Sequence, residues 1–188
     1  MMKKMITLAL AALMLVGMVA CGGGAKDNAG AGFGADSATA VLETVWASYA
    51  DDEKFAIMGG DYDSNVADAP AKFNHENAEY MEDMLVIPAE ATAMVDDAAS
   101  MIHMMNANTF TAGAFHLSDV NNEDAFVSAV KERVMNNQWL CGFPEKLVIV
   151  SDANGYVITA FGNGEAVDNF KTKLTEMGGA VVVEENLM

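Results

Sequence analysis

The clearest structural signal in the chain is the stretch LVIVSDANGYVI, residues 147–158. It opens with four apolar residues and closes with Tyr156-Val157-Ile158, and short runs of this kind are typical of buried strands. Between them lies Asn154-Gly155, a pair that tolerates positive φ and is therefore typical of turns. We predict two strands, and because the connection is longer than two residues we assign Ser151 and Asp152 to the loop.

The sequence on both sides extends this hairpin into a domain. Residues 109–117 predict a strand that is buried on both faces. Helical periodicity predicts helices over 123–135 and 166–177, and the apolar residues of 180–183 predict a short last strand. The order strand, helix, strand, strand, helix, strand predicts a single α+β domain with a mostly antiparallel sheet and helices packed on one face.

Upstream of residue 109 the periodicity is mainly helical. Apolar residues recur at helical spacing over 39–50, whereas Gly and Pro punctuation predicts an irregular loop over 51–73. A helix capped by Asn74 follows, and Pro88 begins another. The stripe of this last helix consists of Ala91, Met94, Val95 and Ala98. The sequence leaves two alternatives for where this helix ends. In one, the apolar residues of 101–105 continue its apolar face; in the other, the asparagines after them mark an extended stretch that leads into the strand.

The N-terminal segment has the three parts of an export signal. Two lysines are followed by the uncharged apolar run 5–19, and Ala20 is a small residue at a cleavage position before Cys21. The run is too short to span a bilayer easily, which takes about 20 residues. We therefore predict a signal peptide over residues 1–20.

The residues at this junction resemble a bacterial lipobox. The segment is Met18-Val19-Ala20-Cys21, with Met18 in place of the Leu usually found three residues before the cysteine. The resemblance implies that Cys21 is acylated and becomes the first mature residue. Residues 21–38 then form an acylated, Gly-rich flexible tether, and 39–188 form the domain. We expect a protein anchored by lipid to the cell membrane, on its extracytoplasmic face.

The charge balance bears on both the anchor and the partners. The chain has 188 residues, with 10 Lys+Arg and 27 Asp+Glu, a net charge of −17. Removal of residues 1–20 deletes two lysines and no acid, which leaves 8 basic against 27 acidic residues, a net charge of −19. So acidic a domain repels nucleic acid, and it also repels anionic lipid. The membrane anchor is therefore expected to be acyl chains rather than a basic patch.

Several features of the C-terminal half together resemble a known family. They are the apolar strand Phe110–Leu117, the helix Glu123–Met135 with Lys131-Glu132-Arg133, the strand Val148-Ile149-Val150, the turn and strand Asn154-Gly155-Tyr156-Val157, and a closing helix around Phe170. These features are similar to the DUF4358 family, a domain of unknown function found in bacterial lipoproteins. With the helices upstream, the resemblance covers residues 39–176. It implies a lipid-anchored extracytoplasmic α+β domain and supplies no catalytic residue.

The acidic stretch 61–65 opens like a calcium loop. Asp61, Asp63 and Asn65 stand at the first, third and fifth positions, and Ca²⁺ prefers carboxylate and amide oxygens as ligands. The match stops there, since position six is Val rather than Gly and position twelve is Lys rather than Glu. A non-standard calcium site and an exposed acidic loop are the two alternatives.

A second candidate metal site is the stretch MIHMM, residues 101–105. His103 and Met104 offer an imidazole and a thioether, and thioethers suit Cu(I). Methionine also fills hydrophobic cores, so core packing is the alternative. The other two histidines, His75 and His116, do not complete the spacing of a zinc motif.

The chain carries no motif of a known catalytic class. It has no GxSxG elbow, and Gly162-Asn163-Gly164 is interpreted as a strand-to-helix turn rather than a phosphate loop. Cys141 lies among apolar residues, which predicts a buried, inert thiol. No cofactor is predicted. We expect a non-catalytic binding or scaffolding module whose partner is an envelope protein or a cationic ligand. The alternatives are a metal-binding envelope protein and an enzyme with an unrecognised site.

Overall fold

Eight strands form one sheet in the computed structural model, which describes residues 32–140 and 142–187. The predicted signal peptide, Cys21, most of the tether and Cys141 lie outside these residues. In chain order the strands are β1 (Ile57–Gly59), β2 (Val66–Ala67), β3 (Ala71–Phe73), β4 (Val95–His103), β5 (Phe110–Leu117), β6 (Lys146–Ser151), β7 (Tyr156–Gly162) and β8 (Ala180–Asn186). They are arranged β2-β1-β4-β5-β7-β6-β8, and β3 also pairs with β4.

Five α-helices accompany the sheet within the residues that the structure describes. They are α1 (Ala38–Ala47), α2 (Ala78–Leu85), α3 (Ala89–Thr92), α4 (Glu123–Met135) and α5 (Gly164–Glu176). Each of the strand pairs is antiparallel, so the predicted class, a single α+β domain with an antiparallel sheet, is confirmed. None of the helices in the described residues has the length and hydropathy that crossing a bilayer requires.

The helices pack on both faces of the sheet, and the prediction of a single covered face is wrong. α1 and α5 cover one face, where their apolar side chains meet Phe110 and Ile158 of the strands. The other three helices cover the opposite face, where Phe126 of α4 packs against Phe115 of β5. Side chains of β5, β6 and β7 are buried on both sides, and each buried face needs a layer of helices to exclude water.

The hairpin of residues 147–158 forms as predicted. β6 and β7 pair along their whole length, and Gly155 in the turn between them has a φ of +90°, which a side chain would strain. Ser151 still belongs to β6, so the loop is one residue shorter than predicted. β5, α4, α5 and β8 also occupy the predicted segments, and alternate residues of β5 enter opposite clusters of the core.

The helix predicted from Pro88 onward is wrong beyond its first turn. α3 ends at Thr92, and Val95–His103 form β4, a central strand of the sheet. The Ala-rich sequence favours a helix locally. In the fold, however, β4 hydrogen-bonds to β5 along one edge and to β1 and β3 along the other. Pairing on both edges therefore overrides local propensity. The extended stretch predicted after residue 105 is also wrong in part, because Ala107–Thr109 form a short 3₁₀ helix that Asn106 caps before β5 begins.

The pairing of β4 also shows that the loop predicted just upstream is wrong in part. The predicted loop over 51–73 contains the three shortest strands, and two of them, β1 and β3, pair with β4. Helix α2 begins at Ala78, and its N-cap is Asn77 rather than Asn74. The reason is local: the Oδ1 atom of Asn77 accepts a hydrogen bond from the backbone N–H of Tyr80 at 3.2 Å.

The sheet has two ends, and the N-terminal segment joins it at one of them. The backbone N–H of Phe33 donates to Asp152 at 2.9 Å, beside the turn between β6 and β7. We call this the entry end. At the opposite end β4 finishes at His103, β5 begins at Phe110 and β7 finishes at Gly162. We call this the far end.

Candidate functional site

A cleft of about 440 Å³ opens at the far end, between the chain that follows α1 and the start of α5. We call it the far-end cleft. Its lining residues are Tyr49, Asp52, Glu53, Phe55, Asn163, Glu165, Ala166 and Asn169. The two helices lie side by side on one face of the sheet, so the end of α1 meets the beginning of α5. The cleft combines carboxylates with aromatic rings.

Tyr49 forms the inner wall of the far-end cleft. It is only 4% exposed, and its ring packs against Trp46, with the Nζ atom of Lys173 lying 4.5 Å from the ring centroid. Within the described chain its hydroxyl has no hydrogen-bond partner. An unsatisfied buried hydroxyl costs about 1–3 kcal/mol. Burial, helped by the nearby Glu53 carboxylate, raises the pKa of Tyr49 far above its usual range, so the hydroxyl keeps its proton.

The carboxylates of the cleft are of two kinds. Glu53 accepts hydrogen bonds from Ala50 N at 2.8 Å, from Lys173 Nζ at 3.0 Å and from Asn169 Nδ2 at 3.3 Å. The bond from the Ala50 backbone and the one from Lys173 lower the pKa of Glu53. Asp52 and Glu165 are exposed, and their carboxylates make no hydrogen bond or ion pair to any described residue. The cleft therefore presents two uncompensated negative charges.

Aromatic packing supplies an apolar wall on the side of Phe55. Its ring stacks on His103 with the centroids 5.5 Å apart, and it meets Trp46 and Phe110 edge-on. The other wall is the first turn of α5. There Asn163 Oδ1 accepts from the backbone N–H groups of the next turn, which confirms the predicted strand-to-helix turn. These N–H groups are thus already satisfied by the chain.

Exposed apolar side chains lie in two loops at the far end. Met105 is 82% exposed, Leu140 90% and Phe143 69%. Asn108 Nδ2 donates to the carbonyl of Gly142 at 2.9 Å, so the two loops contact each other. We call Met105, Leu140 and Phe143 the far-end apolar patch.

The residues predicted to bind calcium have other contacts. Asp61 is buried, and its carboxylate accepts from Asp63 N, Ser64 N, Ser64 Oγ and Asn74 N, at 2.9 to 3.0 Å. Burial raises the pKa of Asp61, but these four bonds outweigh it and hold the pKa below its usual value. Asp63 accepts from the hydroxyl of Tyr80 at 3.2 Å, and Asn65 is exposed. Asp61 thus organises the loop around itself.

The copper candidates also have local roles. His103 Nδ1 accepts from the backbone N–H groups of Met105 and Asn106, at 3.2 and 3.3 Å. Core packing applies to Met101, which is buried, but not to Met104, which is 42% exposed. In residues 32–140 and 142–187, no three His, Cys, Asp or Glu side chains are placed to hold one metal ion. Both metal sites stay predictions that no contact in the structure favours.

Two polar pairs near the entry end involve groups that occur in hydrolases. Ser151 Oγ donates to Glu123 at 2.9 Å, and His116 lies 2.6 Å from Asp96. Ser151 faces α4, whereas the ring of His116 packs on Tyr156 on the other face of the sheet. The serine and the histidine therefore do not form a nucleophile and base pair.

The residues that define the far-end cleft carry no signal that marks them in the sequence. Tyr49 fits the apolar stripe of α1, and Asp52 with Glu53 are part of a general run of acids. Nothing in their spacing marks them, since the cleft forms only where α1 and α5 meet. The role of Asp152 is equally invisible in the sequence: it is 2% exposed and fastens the N-terminal segment to the hairpin.

No family model matches the chain, and comparison with curated proteins and with solved structures finds no similar protein. The resemblance to the DUF4358 family therefore stays a prediction.

Proposed function

We propose that this protein is a lipid-anchored module of the cell envelope that binds a partner without catalysing a reaction. In this proposal Cys21 carries the acyl chains, and the domain lies on the extracytoplasmic face of the membrane. The far end of the sheet is the binding surface, with the far-end cleft at its centre.

The observation that carries the proposal is the polarity of the fold. The tether enters at the opposite end, where Asp152 holds Phe33. Residues 22–31 separate Cys21 from the described chain, and an extended chain of that length reaches at most about 40 Å. An anchor at the entry end leaves the far end accessible to other envelope components. The far-end apolar patch and the unpaired carboxylates of the cleft are both on that side.

The anchor is tested by mass spectrometry of the mature protein from membranes. We expect an N-terminal Cys21 that carries acyl chains, and a Cys21→Ala variant that leaves the membrane fraction. A mature chain with an unmodified N-terminus at another residue would refute the lipid anchor.

The binding surface is tested by photocross-linking in intact envelopes. A photoreactive residue is placed at Phe143 in the far-end apolar patch and, as a matched control, at Val120, which is 49% exposed near the entry end. We expect a discrete adduct from position 143 and none from position 120. Equal labelling from both positions, or none from either, would count against the far end as the binding surface.

A further inference from the structure

The chain contains two Asn-Gly pairs, Asn154-Gly155 and Asn163-Gly164, and the structure holds them in different ways. In such a pair the backbone nitrogen of the glycine can attack the side-chain amide carbon of the asparagine, because glycine has no side chain to hinder the approach. A five-membered succinimide ring forms, and water opens it to aspartate or to isoaspartate. By sequence alone the two pairs are equally reactive.

Hydrogen bonds hold the pair Asn163-Gly164 at the start of α5. The Oδ1 atom of Asn163 accepts from the backbone N–H groups of Glu165 and Ala166, at 3.1 and 3.4 Å. Its Nδ2 atom donates to Glu145 at 3.2 Å, and the attacking atom, the backbone nitrogen of Gly164, donates to the same oxygen at 2.7 Å. Ring formation at this pair therefore has to break these bonds and remove the cap of the helix.

Asn154 lies exposed in the turn between β6 and β7, outside any helix of the described chain. Among the described residues its side chain makes one hydrogen bond, from Nδ2 to Asp152 Oδ2 at 3.4 Å, which is long for such a bond. No helix has to unwind, and no short side-chain bond has to break, before the amide carbon approaches Gly155. The fold thus protects one pair and leaves the other open to reaction.

The amide of Asn154 lies beside the group that fastens the N-terminal segment. The same Oδ2 atom of Asp152 accepts from the backbone N–H of Phe33 at 2.9 Å, and Asp152 is buried. The amide also borders Gly32, since a Cβ atom there would lie 2.5 Å from Nδ2. A carboxylate in place of this amide has no N–H to donate. It also sets a second negative charge against a buried one, where water screens the repulsion poorly.

We propose that Asn154 is a site of spontaneous deamidation and that the product releases the N-terminal segment from the hairpin. The backbone nitrogen of Gly155 loses its proton and bonds to Asn154 Cγ, the Cγ–Nδ2 bond breaks, and the amide nitrogen leaves with that proton as ammonia. One water molecule opens the ring, so no other reactant is needed. Both products carry a new carboxylate at position 154, and isoaspartate also lengthens the turn by one backbone atom.

The reaction is tested by ageing the folded full chain in detergent, in mildly alkaline buffer, and mapping its peptides by mass spectrometry. We expect conversion at Asn154 to be at least about tenfold faster than at Asn163, which must first lose its hydrogen bonds. A parallel sample in urea removes this protection, so the two rates should become similar. Equal rates in the folded protein, no conversion at Asn154, or the same ratio of rates in urea would overturn the proposal.

Release of the segment is tested by brief digestion with chymotrypsin, which cuts after Phe33 once this buried residue becomes accessible. Asn154→Asp reproduces one product of the reaction. The matched control is Asn121→Asp: Asn121 Nδ2 donates to Asp119 at 2.8 Å, but that carboxylate is exposed and bonds only within its own turn. We expect cleavage after Phe33 to rise at least about tenfold in the first variant and little in the second.

Aged wild-type protein gives a second readout that does not require the variant to fold. After the same digestion, converted Asn154 should be enriched in the molecules cut after Phe33 and depleted in the intact ones. Equal cleavage of the two variants, or equal conversion in cut and intact molecules, would show that Asp152 keeps its hold on the segment and would refute the release.

The inference goes beyond the proposed function, and none of these measurements requires the lipid anchor, so each of the two can fail alone. One consequence does rest on the proposed function. With an acylated Cys21, release of residues 32–36 would add about 17 Å to a fully extended tether.

Discussion

The two ends of the sheet hold their carboxylates in opposite ways. At the entry end Asp152 is buried and accepts backbone hydrogen bonds from Phe33, Asn154 and Tyr156 at 2.9 to 3.0 Å. At the far end Asp52 and Glu165 are exposed and accept none within the described chain. In a chain with 27 acidic residues, acidity alone does not mark a site. The two ends differ in whether N–H groups of the chain donate hydrogen bonds to the carboxylate oxygens.

Two further carboxylates resemble that of Asp152, because they also accept hydrogen bonds from the chain. Asp61 accepts four hydrogen bonds and shapes its own loop, and Asp97 accepts from the backbone N–H of Ala38 at 2.8 Å, where α1 begins. A negative charge at a helix N-terminus is also favoured by the helix dipole. These groups hold segments of the fold together, so their removal should lower the free energy of unfolding. Removal of the groups of the far-end cleft should instead weaken binding of a partner and leave the free energy of unfolding nearly unchanged.

The largest expected effect is that of Asp152→Ala. The change leaves three backbone N–H groups without their acceptor and releases the N-terminal segment from the hairpin. We expect the free energy of unfolding to fall by about 3 kcal/mol in urea denaturation. The control is Asp119→Ala, which removes an exposed carboxylate that bonds only within its own turn and should cost clearly less. A loss below about 1 kcal/mol for Asp152→Ala would show that the fastening role is wrong.

The next effect concerns pH and Asp61. Its pKa is lower in the folded state than in the unfolded chain, so the ionised carboxylate stabilises the fold above about pH 4. That contribution is lost as the pH falls through the folded-state pKa. We expect Asp61→Asn to cost about 2 kcal/mol at pH 7 and less as the pH approaches 3. Denaturation of both proteins over this range measures it, and a pH-independent difference would contradict the prediction.

A smaller effect of opposite sign is expected for Tyr49→Phe. Removing a buried hydroxyl that has no partner in the described chain should raise the free energy of unfolding by about 1 kcal/mol. Tyr62→Phe is the matched control, because Tyr62 is 59% exposed and the same change there should be neutral. A destabilised Tyr49→Phe protein would show that the hydroxyl does have a hydrogen-bond partner in solution.

The smallest effect on stability is expected for Asp52→Asn/Glu165→Gln. Neither carboxylate has a partner among the described residues, so the change should stay within about 0.5 kcal/mol of the unaltered protein. Thermal and urea denaturation measure this directly. A loss of more than about 1 kcal/mol in the free energy of unfolding would show that these carboxylates stabilise the fold as Asp152 does. The two ends of the sheet would then not differ in this respect.

The parts of the fold that the sequence predicted correctly are local. The hairpin of β6 and β7 is specified by two apolar runs and a turn pair, and α4 and α5 by apolar residues at helical spacing. β4 was mispredicted because its alanines favour a helix, and only its neighbours on both edges make it a strand. The placement of helices on both faces follows from the same central strands.

The candidate site was less predictable than the fold. The far-end cleft needs Tyr49 after α1, two acids in the next turn and the first turn of α5, which is more than 100 residues later. No spacing rule joins these segments. Conversely, the calcium-like pattern at Asp61 was visible in the sequence, and the structure uses its oxygens for backbone hydrogen bonds. A sequence pattern of metal-ligand residue types does not show whether their oxygens are free to bind a metal or already accept hydrogen bonds from the chain.

The sequence by itself determined the acidic character of this protein, its α+β class, its central hairpin, and the expectation of an acylated Cys21, because these depend on composition and on residues close together in the chain. Only the tertiary structure decided that both faces of the sheet are covered, that Asp152 fastens the N-terminal segment, and that Tyr49 has no partner within the described chain in an acidic cleft. Burial and hydrogen-bond satisfaction depend on segments that are distant in the chain, and they exist only after those segments have packed.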